Sequence, residues 1–103
     1  MASQDEQLEM TPAGIPLSLR PFFQEYNLED LDPERSAFTV IERTLAWGDW
    51  LELRWLFARY GVSRLAEWVR QAGWRCLPKR RFTFWTWFFD LRDCAQGERI
   101  WQH

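Results

Sequence analysis

The chain has a single histidine, and it is the last residue, His103. Ser-His-Asp systems, Cys-His nucleophiles and most zinc constellations need an internal imidazole, so this scarcity removes them together. Cysteine is nearly as sparse. Cys76 and Cys94 form no CxxC pair, and whether they bond to each other stays open, with reduced thiols the expectation. The five glycines are scattered and build neither a phosphate loop nor a dinucleotide fingerprint. Glu29, Asp30, Asp32 and Glu34 lack the Gly-centred spacing of a calcium loop and read as a helix cap with first-turn charges. The expectation is a non-enzyme with no catalytic residue, no cofactor and no metal. The first nine residues are acidic and polar, without the apolar core of a secretory signal. No apolar run approaches the roughly 20 residues of a membrane span, so a cytoplasmic protein with no membrane association is expected.

Aromatic residues are abundant instead: eight Trp and eight Phe in 103 residues. A chain this short buries only about 60–70% of its unfolded surface, so some of these rings must lie partly outside. They concentrate between Arg80 and Phe89, where six of ten residues are aromatic and Lys79, Arg80 and Arg81 stand at the head. A helix there would be apolar over most of its circumference, whereas a surface helix normally buries one stripe.

The net charge of −2 hides an asymmetry. Residues 1–34 carry eight acids and one base, and residues 35–103 carry twelve bases and seven acids. All the bases but Lys79 are arginine, a residue suited to bidentate contacts and to stacking on rings.

Residues 1–16 read as a flexible acidic tail broken by Pro12, Gly14 and Pro16. Residues 17–93 read as one helical domain and residues 94–103 as a C-terminal extension. Within the domain, a short helix is expected around Pro21. The next is capped by Asp32 and runs from Pro33 to Trp47, with Ala37, Phe38, Ile41 and Leu45 on its apolar face. Gly48 is expected to end it in a left-handed conformation. Asp49 then caps a helix over 50–60, and Gly61 ends it. Ser63 caps the following helix, which Gly73 ends, and the aromatic helix runs from about Arg81 to Arg92. No segment alternates with period two, so the fold expected is all-α, a compact bundle of four to five short helices.

On the aromatic helix, spacing puts Phe84, Trp85 and Phe88 on one face, expected in the core, and Phe82 and Phe89 on a neighbouring one. Trp87 points elsewhere. Trp beside Arg is the residue combination that dominates interface energetics, so Arg80, Arg81, Trp87 and Trp101 are the expected partner-binding residues. A second reading uses the same region for DNA. Residues 50–60, the Gly61-Val62-Ser63 turn and residues 64–72 have helix-turn-helix order, with Arg64, Arg70, Arg75 and Lys79 as candidate contacts. Glu67, where such a helix needs an apolar residue, speaks against it.

The ordered pieces Phe22-Phe23-Gln24-Glu25-Tyr26, Leu31-Asp32, Ile41-Glu42-Arg43-Thr44-Leu45, Gly48-Asp49, Leu53-Arg54-Trp55-Leu56-Phe57, Tyr60-Gly61, Pro78-Lys79 and Phe84-Trp85 carry a resemblance. Over about residues 22–88 the chain resembles a family of small bacterial helical proteins classed as a domain of unknown function. Members look like antitoxin partners of AbiEii-like nucleotidyltransferase toxins. The resemblance implies a cytoplasmic, non-catalytic protein that silences a toxic enzyme in a toxin–antitoxin or phage-defence pair. It supplies no binding residues. The acidic start and the Trp-rich last helix depart from the pattern.

Overall fold

A computed structural model of the protein describes residues 8–91. Trp101, Cys94, His103 and the extension expected over 94–103 lie outside the described residues. The chain divides into two compact units, Met1–Arg59 and Tyr60–His103.

The first unit opens on a closed loop. Leu17 N donates to Glu9 O (2.7 Å), Thr11 N to Ile15 O (2.8 Å) and Ile15 N to Thr11 Oγ1 (3.1 Å). Ile15 is fully buried. Residues 9–16, expected within the flexible tail, are therefore folded: the Pro and Gly that block a helix here make a turn. A 3₁₀ segment, Leu17–Phe23, follows and buries Leu19 and Phe23. Pro21 inside it has no N–H to donate. A second 3₁₀ turn, Leu28–Asp30, buries Leu28.

Asp32 accepts as a cap does, but it caps a turn ahead of the helix and not the helix start expected at Pro33. Its Oδ1 accepts from the backbone N–H groups of Glu34 (2.8 Å) and Arg35 (3.0 Å). Residues 33–36 form a turn, and the regular helix α1 spans Ala37–Trp47. Ala37, Val40, Ile41, Thr44 and Leu45 are buried at helical spacing, and α1 packs on the Leu17–Phe23 segment. Phe38, expected on that face, is exposed. Gly48 is extended (φ −68°), not left-handed. A Cβ there would stand 2.6 Å from Thr44 O, so close approach rather than backbone freedom requires glycine. Helix α2 spans Trp50–Tyr60. Its start is a reciprocal capping box: Asp49 N donates to Glu52 Oε1 (2.9 Å) and Glu52 N to Asp49 Oδ1 (3.3 Å).

In the second unit, Gly61 has φ +88°, a region that suits only glycine. Helix α3 (Val62–Trp68) begins one residue before Ser63 and has no side-chain cap, so Ser63 is not its N-cap. Gly73 does not end it. The chain continues through a π-helical turn, Val69–Gly73, into the short helix α4, Trp74–Cys76. Leu77, ahead of Pro78, is extended, and the aromatic helix α5 spans Lys79–Phe88. The π turn packs on α5. The fold is all-α; no strand occurs among the described residues, where Met10 and Pro16 make an isolated bridge.

Candidate protein-binding face

Helix α5 has two faces of opposite character. Phe82, Trp85 and Thr86, at i, i+3 and i+4, are buried. Thr86 satisfies its hydroxyl by donating to Thr83 O (2.9 Å). The missing Cβ of Gly73 leaves the space that Phe82 fills. The opposite side carries Phe84, Trp87 and Phe88, which are 45%, 73% and 50% exposed. Of the three rings expected in the core, Phe84, Trp85 and Phe88, only Trp85 is buried. Spacing alone offers two adjacent apolar faces, and docking of Phe82 on Gly73 selects the one that holds Phe82 and Trp85.

The exposed rings touch one another. Phe84 stacks on Phe88 (centroids 6.0 Å apart, planes at 21°) and lies 5.9 Å from Trp87. Trp85 underlies them, edge-on to Phe84 (4.8 Å) and to Phe88 (5.4 Å). Arg80 falls on the same stripe, since 80, 84, 87 and 88 follow i, i+4, i+7 and i+8. Lys79 and Arg80 are exposed and make no ion pair among the described residues. No acidic side chain lies anywhere on α5. Bases in a first turn oppose the helix dipole by about 0.3–1 kcal/mol each, so this arrangement runs against local helix preference.

Of the expected partner-binding residues, the structure thus places Arg80 and Trp87 on one exposed stripe. Arg81 is half-buried and one position round the helix, and Trp101 is outside the described residues. The DNA-contact candidates lie on four successive elements. Arg64 on α3 stacks on the Tyr60 ring (5.0 Å). Arg70 in the π turn pairs with Glu67 (3.7 Å). Arg75 on α4 contacts Cys76 Sγ (3.7 Å), and Lys79 heads α5. One residue, Gly61, separates α2 from α3, where a helix-turn-helix uses a turn of three or four.

The first unit contains a recess that the sequence reading missed. Pro21, Phe22, Gln24, Glu25, Arg43 and Trp47 line an open hollow of about 400 Å³. Arg43 organises it. Its Nη1 donates to Phe22 O (2.7 Å), its Nη2 to Glu25 Oε2 (2.6 Å), and its guanidinium lies over the rings of Phe23 (5.5 Å) and Tyr26 (5.6 Å). The bond from Arg43 holds the Glu25 carboxyl below the usual carboxylate range, and Glu25 in turn raises Arg43. No spacing rule links residues eighteen apart, although both sit in pieces that the resemblance singles out. Among the described residues there is no group of three or more His, Cys, Asp or Glu placed to hold a metal. No helix among them is long and apolar enough to cross a membrane.

Residues 18–69 match DUF6922, a family of unknown function. The chain belongs to that family. The DUF6922 segment contains the Arg43 recess and both helices α1 and α2, and it ends at the start of the π turn. Helix α5 lies beyond it. The resemblance traced over 22–88 is thus supported as a family of unknown function on its first part. No curated protein and no solved structure matches the chain.

Proposed function

We propose that this DUF6922 member is a non-catalytic protein-binding module whose contact surface is the exposed stripe of α5. The observation that carries this reading is the contact cluster Phe84, Trp87 and Phe88, left open to solvent beside Arg80. Phe84 and Phe88 keep about half of their surface in water and Trp87 most of its own, and Trp buried against a partner is enriched among binding hot spots. The resemblance to antitoxin partners supports a more specific reading. The partner is then a nucleotidyltransferase-type toxin in the cytoplasm, held inactive by direct contact.

Co-expression with the product of the neighbouring gene tests the reading. A stable complex on size-exclusion chromatography, together with relief of that product's toxicity, is the expected result. Clean separation of the two proteins contradicts the toxin-partner reading.

A further inference from the structure

Resting on the reading of α5 as a protein-binding face, we propose that the partner presents an acidic amphipathic helix. Its apolar side covers Phe84, Trp87 and Phe88, and its carboxylates meet Lys79 and Arg80. The geometry of the stripe points to a helix. Residues at i, i+4, i+7 and i+8 form a raised ridge, the kind of surface that packs into the groove between side-chain rows of a second helix. Ten residues of α5 extend about 15 Å, which matches two to three turns of a partner.

Charge fixes the sign of that partner. The described part of the second unit carries six bases and two acids. Glu67 is engaged by Arg70 and Gln71, and Asp90 lies past the end of α5. The exposed bases of α5 lie in its first turn, Arg80 on the stripe and Lys79 one position round from it, where the helix dipole adds positive potential. The matching partner is therefore acidic at one end and apolar along its length. A single-stranded nucleic acid fits less well. Base stacking needs open ring faces with cations tracking alongside. Here Phe84 turns a face to Phe88, and the exposed cations of α5 are gathered at one end.

The test uses the full chain and fluorescently labelled, helix-stabilised peptides of about fifteen residues, long enough to cover α5. One has a Leu/Ala stripe with Glu clustered at one end. The second is identical with Lys in place of each Glu. A labelled oligo-dT is the third probe. The acidic peptide is expected to bind about tenfold tighter than the basic one at low salt, with the gap closing as salt rises. Trp87→Ala should abolish peptide binding, and Arg80→Glu should shrink the preference for the acidic peptide. Equal binding of both peptides overturns the acidic character and leaves the protein-binding face standing. Failure of both peptides, or oligo-dT binding where the peptides do not, overturns the acidic helix. Peptide binding unchanged in Trp87→Ala sinks the α5 face itself.

Discussion

The ring of Phe82 lies against the bare α-carbon of Gly73. A Cβ on residue 73 would stand 3.0 Å from Phe82 Cδ1 and 3.1 Å from Val69 Cγ1. Both neighbours are buried and have little room to yield. Gly73→Ala should therefore lower stability by about 1–3 kcal/mol, the usual scale of overpacking. In an ordinary helix interior the same change gains about 1 kcal/mol, so the sign of the shift in a urea midpoint decides. A stabilised variant would show that Phe82 is free to move and that the contact does not fix α5.

Trp85 and Trp87 are two residues apart and have opposite roles. Trp85 is buried and Trp87 is 73% exposed. Trp85→Ala should cost about 3–5 kcal/mol, as for other buried aromatic truncations. Trp87→Ala should stay within about 0.5 kcal/mol of the parent. Thermal melts of the two variants check the assignment. If Trp87→Ala unfolds the protein, the ring is structural and the binding face is misplaced.

The first unit should lose stability in acid. Glu25 is held below the ordinary carboxylate range by Arg43, Glu29 by Arg20, and Asp32 by the backbone N–H groups of Arg35 and Glu34. In the unfolded chain these groups return to about 4. Their contribution is thus present above about pH 4 and is lost as pH falls through the lower folded-state values. Urea midpoints measured from pH 7 down to pH 2.5 should fall along that limb. The triple variant Glu25→Gln, Glu29→Gln, Asp32→Asn should flatten it, and an unchanged acid limb would exclude these three groups as its origin.

Thr44 is fully buried, and its hydroxyl has no hydrogen-bond partner among the described residues. Valine has nearly the same shape and leaves no polar atom unsatisfied. Thr44→Val should raise stability by about 1–2 kcal/mol, the penalty of an orphaned hydroxyl. A loss on calorimetry would mean that the hydroxyl is satisfied by a bound water.

The local signals in the sequence carried well. Asp32 caps the turn that leads into α1, and Asp49 with Glu52 builds the start of α2, because capping depends on residues three apart or fewer. Glycine is only partly legible. Gly48 and Gly61 do follow the last residues of α1 and α2, but Gly61 alone of the two has a positive φ; Gly48 and Gly73 are small because Thr44 O and the Phe82 ring come close. Such contacts belong to tertiary packing, and no local pattern reveals them. The same packing decided which aromatic face of α5 turned inward. The Arg43–Glu25 link, which shapes the recess within the DUF6922 segment, likewise joins positions that only the fold brings together.

The most direct test of the central claim is the affinity of the chain for the neighbouring gene's product, measured by isothermal titration calorimetry with the parent and with Trp87→Ala. The account predicts tight binding by the parent and a loss of at least about 2 kcal/mol, roughly thirtyfold, in a variant that remains folded. Equal affinity of the two proteins would contradict it.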